Sequence, residues 1–414
     1  MDVDAAERRA PGTPPALAGL RVIDFTWVIA GPCTTQALAQ QGAEVIRIES
    51  QAKLDVTRRS GPYAGDQPGL NRSAYFATFN ASKRSLSMDL NTPQGAEMVR
   101  RLVAVSDVVV ENFTPKAMRN WKLTYEDLAR IRPDLVMISL SAHGQSGPRA
   151  MHPGIGHLLT GLAGFAHVTG WPDRPPVLPI SAYTDYIVPF LGVTAIMAAL
   201  DYRRRTGKGA YIDLSQTEAG LMFLTPSFLS YSANRREDTR MGNRSLSAAP
   251  HGVYPCRGDD RWCSIAVTSD EEWGCLCRAI GQADLPADLR FAGVAGRTAH
   301  AEELDMLIAA WTRERTAEQV MRALQSQRVP CGVVQNVADL HSDPQLAHRG
   351  HFTRLQHPEM GTGTYDLPGF RLSENAPTVR PAPCFGADNE YVCRDILGLS
   401  SDVVADMIIG GVLE

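Results

Sequence analysis

Asp185 is the side chain on which a chemical argument can be built. It lies in the stretch Ser181-Ala182-Tyr183-Thr184-Asp185-Tyr186, between a proline-rich loop (171–179) and an apolar run (190–200). That run ends in Arg203-Arg204-Arg205 and then Gly207, the pattern of a buried helix with basic residues in its last turn and a glycine stop. Thr184 or Asp185 then falls at the N-cap, where a side-chain oxygen satisfies free backbone N–H groups. The same carboxylate, set against an apolar wall, is also placed to attack an acyl group. The local pattern leaves both uses open.

Other chemistries find little support. The ten histidines show neither H-x₃-H nor H-E-x-x-H spacing, so a metal site is not expected. G-x-S-x-G, G-x-G-x-x-G and G-x-x-x-x-G-K-[ST] are absent, and Gly154-Ile155-Gly156 is a lone G-x-G. The basic residues Arg47, Arg58, Arg59, Lys83, Arg84, Lys116, Arg119 and Lys122 fall in or beside loops that follow early strands. Most such charges are solvated, but arginine and lysine there also suit phosphate groups.

The elements that must hold these residues follow a regular alternation. Residues 20–25 read as a buried strand, 31–41 as a helix stopped by Gly42, and 43–49 as a second strand parallel to the first. Strands at 85–90, 107–111, 135–140 and 210–214 follow. Among the helices between them, one has Thr92 as N-cap with Pro93 at its first position, and another is capped by Thr124. This alternation predicts a doubly wound, Rossmann-like parallel α/β sheet with ligands beyond the carboxyl ends of its strands, here 26–31, 112–116 and 141–147. Residues 50–74 form a long polar loop, either functional or mobile. A smaller α+β domain is expected at 227–329, with a hairpin at 252–266 and two helices at 271–280 and 301–325. The expected organisation is a loose tail (1–18), a large domain (19–226), the small domain, and a return segment (330–414) that completes the large one and ends in a helix at 401–409.

A chain of 414 residues with 44% hydrophobic and 21% charged residues has room for about 2–3 domains and a large core. Its net charge of -4 argues against a nucleic-acid partner. The apolar run near 187–200 looks too short to span a membrane, so no membrane partner is expected. Eight scattered cysteines without C-x-x-C suggest free thiols and a cytoplasmic setting.

The chain resembles the family III CoA-transferases (the CaiB/BaiF family), which include formyl-CoA, carnitine and benzylsuccinate CoA-transferases together with α-methylacyl-CoA racemases. The resemblance runs from about residue 17 to the C-terminus. It rests on Gly19-Leu20-Arg21-Val22-Ile23-Asp24-Phe25 with Ala30-Gly31-Pro32, on Gly42-Ala43-Glu44-Val45-Ile46-Arg47-Ile48-Glu49, and on Asn80-x-x-Lys83-Arg84-Ser85-Leu86-x-Met88-Asp89-Leu90. It continues in Glu111-Asn112-Phe113-x-Pro115, Gly144-Gln145-x-Gly147-Pro148 and Arg203-x-Arg205-Thr206-Gly207-Lys208-Gly209. The resemblance implies Asp185 as catalytic residue, and Val28, Ile29, Ala30, Lys83, Asn112 and Phe113 as the lining of the CoA site. It also implies an interlocked dimer, each subunit a ring threaded through the other, with acyl-CoA and a carboxylic acid as substrates and no tightly bound cofactor. The partner is a second copy or a related subunit.

Where the family carries a phosphate-contacting arginine, this chain has Asn120 with Arg119 beside it. Racemases of the family carry a histidine thirty residues before the aspartate, and that position is Ile155 here. One carboxylate passes acyl groups but does not easily take a proton from one face and return it to the other. The expected activity is therefore CoA transfer from an acyl-CoA such as succinyl-CoA, with the neighbourhood of Asp185 resembling the benzylsuccinate type. A racemase and a non-catalytic CoA-binding subunit are the alternatives.

Overall fold

The structure, a computed structural model, describes residues 13–180 and 182–414. The described residues form two compact units, one of residues 13–166, 178–237 (without 181) and 345–414 and the other of 167–177 and 238–344. The expected small domain, 227–329, overlaps the second unit from residue 238 onward.

The first unit is built on six parallel strands: β1 Arg21–Asp24, β2 Glu44–Glu49, β3 Arg84–Ser87, β4 Val108–Glu111, β5 Val136–Ser141 and β6 Ala210–Ser215. Their order is β3-β2-β1-β4-β5-β6, so the winding reverses between β1 and β4. The helices between them are α1 Ala30–Gln40, α2 Ala74–Asn80, α3 Pro93–Ala104, α4 Pro115–Trp121, α5 Tyr125–Ala129, α6 Gly156–Leu162, α7 Phe165–Val168 and α8 Tyr183–Thr206. After β6 come α9 Gln216–Leu221 and α10 Thr225–Asn234.

The apolar strands read as continuous runs because both faces are covered. Ile23, Ile46, Val109 and Met137 face the core lined by Val99, Leu102 and Val103 of α3. Their neighbours Val22, Val45, Val108 and Val136 face the opposite core, with Leu38 of α1 and Val188 and Ile196 of α8. Thr92 caps α3 by accepting from Gly95 N–H, with Pro93 at the first position, as expected.

Helix α8 is longer than the 187–200 segment suggested. At 24 residues it is long and apolar enough to cross a membrane by length and composition, and 44% of its apolar window is buried in the protein. It ends at Gly207 in the left-handed conformation, the expected glycine stop.

The long loop 50–74 is tied down by ion pairs. Arg58 Nη2 lies 2.7 Å from Glu49, and Asp55 lies 2.6 Å from Arg47 Nη2. Within the expected loose tail, Leu17 donates its N–H to Gln41 O at 2.9 Å, while residues 1–12 lie outside the described residues. Of the expected return segment 330–414, residues 330–344 stay with the second unit, and 345–414 return to the first. Asp388 and Asn389 accept from Ser85 N–H and Ser87 N–H on edge strand β3, at 2.9 and 2.8 Å, and Val412 and Leu413 pack in the core. Side chains thereby occupy the free edge that an exposed strand would offer to another chain.

The second unit has an antiparallel sheet of β7 His251–Pro255, β8 Trp262–Ala266 and β9 Cys331–Val333. It carries α11 Asp270–Ala279, α12 Gly293–Ala299, α13 Ala301–Thr312 and α14 Ala317–Ser326. The helix expected at 301–325 is thus two helices, broken where Thr316 and Gln319 form a capping box. All eight cysteines are free thiols.

Candidate functional site

The reversal of winding between β1 and β4 leaves a crevice at their carboxyl ends, where an open α/β sheet accepts ligands. A cavity of about 640 Å³ opens there. The two loops that form its floor are clamped to each other. Asn112, just past β4, accepts from Trp27 N–H at 2.9 Å and donates to Trp27 O at 2.8 Å. Val28 is held at φ 67, a left-handed conformation that costs a β-branched residue about 1–3 kcal/mol. Its N–H donates to Asp55 at 3.1 Å, and Arg47 bonds both Asp55 and Thr26 O at 2.6 Å. A buried ion pair therefore imposes the loop shape that puts Val28, Ile29 and Ala30 on the cavity wall.

Aromatic rings extend this wall. Trp27 meets Phe113 edge-on at 5.3 Å between centroids, and Phe113 meets Trp121 at 5.8 Å. Lys53 lies 5.5 Å over the Trp27 ring, and Lys116 also reaches the cavity. Ser141, at the end of β5, is 3% exposed, and its Oγ faces no protein partner although the residue lines the cavity.

Asp185 stands at the inner wall, 6% exposed. It is not the helix cap. The N-cap of α8 is Ala182, with no side-chain bond, and Thr184 N–H is satisfied by Thr160 Oγ1 at 3.3 Å. The Asp185 carboxylate faces away from this task, accepts from Gln216 Nε2 and packs against Gly156. Gly156 has no substitute here, because a Cβ at that position would overlap the Asp185 carboxylate. Burial pushes the carboxyl above the usual carboxylate range, with Gln216, the charge of His157 and Gly156 N–H pulling the other way. The result is a desolvated, weakly stabilised carboxylate, the state in which such a group attacks most readily.

Of the residues singled out in the sequence, Asp185, Val28, Ile29, Ala30, Asn112 and Phe113 come together on this cavity. Lys83 is elsewhere. Its buried ammonium lies 3.0 Å from Asp24 and 2.9 Å from Asn80, and Asp24 in turn accepts Thr26 N–H at 2.8 Å. Lys83 supports the loop from beneath rather than facing the cavity. Arg119 is exposed and off the cavity, while Asn120 and Lys116 line it. One residue along a helix turns a side chain by about 100°, which separates Arg119 from its neighbour. Arg47, Arg58 and Arg84 are all engaged in ion pairs. Ile155 lines the cavity, and His157 does not. Ser141 lines the cavity at the start of the expected ligand-binding end 141–147, while Gln216, Lys53 and His152 are cavity residues that the sequence did not single out. Among the described residues no cluster of three His, Cys, Asp or Glu is placed to hold a metal.

Comparison with known proteins finds relatives across nearly the whole chain. The chain is 33% identical over 393 residues to the succinate–glutarate CoA-transferase of Agrobacterium fabrum, covering 93% of this chain and 97% of that one. It is 33% identical over 395 residues to the succinyl-CoA–D-citramalate CoA-transferase of Chloroflexus aurantiacus, covering 95% and 96%. A solved CaiB/BaiF family protein from Brucella suis superimposes with a TM-score of 0.85 at 32% identity, covering 93% of this chain and all of that one. The model of CoA-transferase family III matches residues 17–389. A buried carboxylate at the switch-point cavity and this match across nearly the whole length lead to one conclusion: the chain belongs to CoA-transferase family III and is a CoA-transferase.

Proposed function

We propose that the protein moves CoA from succinyl-CoA to a second carboxylic acid, with Asp185 as the transient acyl and CoA carrier. The observation that carries this reading is a desolvated Asp185 carboxylate on a cavity wall, with no capping duty in its own helix. Succinyl-CoA as donor is supported by what the relatives are named for. The acceptor belongs to the same chemical class, a carboxylic acid, with benzylsuccinate and other dicarboxylates as the candidates to assay.

In the proposed sequence an Asp185 oxygen attacks the thioester carbonyl carbon, and the C–S bond breaks with its electron pair leaving on the thiolate. The thiolate then attacks Asp185 Cγ, and the bond from Cγ to the bridging oxygen breaks, releasing the donor acid as its carboxylate. The acceptor carboxylate attacks the aspartyl thioester at Cγ and the thiolate leaves; the thiolate then attacks the acceptor's carbonyl carbon, whose bond to the bridging oxygen breaks with its electron pair leaving on the Asp185 carboxylate. Asp185 is regenerated. An anhydride survives this only where water is excluded. Val28, Ile29, Ala30, Asn112 and Phe113 would bind the pantetheine side of CoA. Lys53 and Lys116 supply cations suited to its phosphates. The protein would act as an interlocked dimer, of identical or related subunits.

The test is quenching the enzyme during turnover with succinyl-CoA and measuring its intact mass. A succinyl or CoA adduct that maps to Asp185 and is absent in Asp185→Asn supports the reading. Turnover without any adduct, or turnover retained in Asp185→Asn, ends it.

A further inference from the structure

Gln216 sits where its amide meets the nucleophile's own carboxylate. Its Nε2 donates to Asp185 Oδ1 and, at 3.2 Å, to Thr184 Oγ1. The residue is buried, lines the cavity, and opens α9 directly after Ser215, whose side chain caps that helix. The amide cannot be the other way round, because its oxygen would then face a carboxylate. Thr184 fixes it further. The Thr184 hydroxyl donates to Gly156 O at 3.4 Å, the carbonyl that also accepts from Thr160 Oγ1 at 2.6 Å. Both amide protons are thus engaged, and one points at Oδ1 with no freedom to turn.

Building on the proposed aspartyl mechanism, we infer that Gln216 is a catalytic hydrogen-bond donor for the oxyanion that forms on Asp185 itself. The enzyme's carboxyl changes role within one turnover. It is first the nucleophile, and once acylated its Cγ becomes the electrophile that the CoA thiolate attacks. In that tetrahedral step the C=O electron pair moves onto the oxygen that does not carry the acyl group. Gln216 Nε2 already donates to Oδ1, so with the acyl group on Oδ2 the developing charge falls on a preorganised N–H. When the tetrahedral adduct collapses, the pair returns to the carbonyl and the donor acid leaves with the other bond. The same donor serves the acceptor's attack on the aspartyl thioester. At the substrate's own carbonyl, in the first step, Gln216 has no oxyanion to stabilise.

That asymmetry is the test. Gln216→Met keeps length and removes both N–H groups. Rapid quench with succinyl-CoA followed by intact-mass measurement separates the succinyl-linked enzyme from the CoA-linked one. The expected result is that formation of the CoA-linked form slows by about 10²–10³-fold, with the succinyl-linked form appearing at close to the wild-type rate and KM for succinyl-CoA little changed. The acid limb of kcat/KM should also move to higher pH, since a donor that stabilises the Asp185 carboxylate is lost. Gln216→Asn, which keeps the amide but withdraws it by one methylene, carries the same expectation and serves if the Met variant misfolds. Equal slowing of both adducts, or wild-type formation of the CoA-linked form, overturns the assignment. Absence of any adduct in the wild-type enzyme is a separate outcome: it overturns the aspartyl mechanism itself, and the assignment of Gln216 with it.

Discussion

At the scale of single residues, Asp185 combines poor solvation with few donors, and both have measurable consequences. Its pKa is raised in the fold, so ionising it opposes folding: its contribution to stability is full below the unfolded pKa and is lost as pH rises through the folded one. Asp185→Asn should therefore abolish transfer, by ~10³-fold or more, and melt higher than wild type at neutral pH. The gap should close as the pH falls towards the carboxylate range. A variant that melts lower at neutral pH would contradict the picture of a strained carboxylate. Gly156→Ala probes the same cradle from the other side. The added methyl meets Asp185 and Ala182 and must displace the carboxylate, costing about 1–3 kcal/mol and roughly 10²-fold in kcat. Unchanged activity would mean that the carboxylate has room to move. Asp185 was legible in the sequence as a carboxylate at a helix start, a pattern that fitted cap and nucleophile alike until the family resemblance chose between them. Its freedom from capping was not, since that depends on Thr160 supplying the missing acceptor from another helix. Gln216 had no signal at all: a glutamine opening a short helix is ordinary, and only folding brings it to a partner 31 residues away.

At the scale of elements, the strands and most helices could be read because each carries its own punctuation. Gly42, the Thr92-Pro93 pair and Gly207 act through local backbone geometry that no tertiary contact overrides. The break between α13 and α14 was also written in the sequence, as Thr316 and Gln319 three apart. It was missed because Arg313-Glu314-Arg315 carries no glycine or proline to mark a stop. The basic residues misled for a different reason, since sequence shows a charge but not its partner. Lys83 makes this testable. Burial pushes its ammonium down to about 8 against the pull of Asp24, and removing it leaves a buried carboxylate short of one cation. Lys83→Met should cost roughly 3–5 kcal/mol with KM for acyl-CoA changed by less than about threefold. A large rise in KM at unchanged stability would instead place the ammonium on the ligand. Glu111, at the end of β4, offers a second measurement. Burial raises its carboxyl from 4.5 to about 7, opposed by Ser139 and Phe113 N–H, with Asp213 adding to the rise. Its contribution is present in full below 4.5 and lost as pH rises through 7. Glu111→Gln should therefore gain on wild type between pH 5 and 8 by an amount on the order of 3 kcal/mol. Parallel pH–stability curves for the two proteins would refute the shift.

At the scale of the whole molecule, the sequence did not reveal that residues 167–177 join the second unit, because chain order alone does not say which segment crosses over. Nor did it show what the first unit leaves uncovered. Helix α10 buries none of its ten residues, and Phe228 on it is 69% exposed, as is 73% of Phe190 on α8. A ten-residue helix is marginal in water without packing, and exposed aromatic surface of this kind marks an interface. A second subunit is the occupant that the interlocked dimer proposed above would supply. The protein should therefore run in solution at twice its 45.1 kDa and stay there on dilution. Phe228→Asp should lower both yield of dimer and activity. Interlocking makes a stronger demand than ordinary dimerisation. Two threaded rings cannot part without unfolding, so the rate of subunit exchange is set by the unfolding barrier rather than by the interface. Mixing isotope-labelled and unlabelled dimers should give no mixed species under native conditions over days. The statistical mixture should appear only after denaturation and refolding together. Exchange within minutes under native conditions would mean two subunits that merely touch, and a fully active monomer would remove the second subunit from the site altogether.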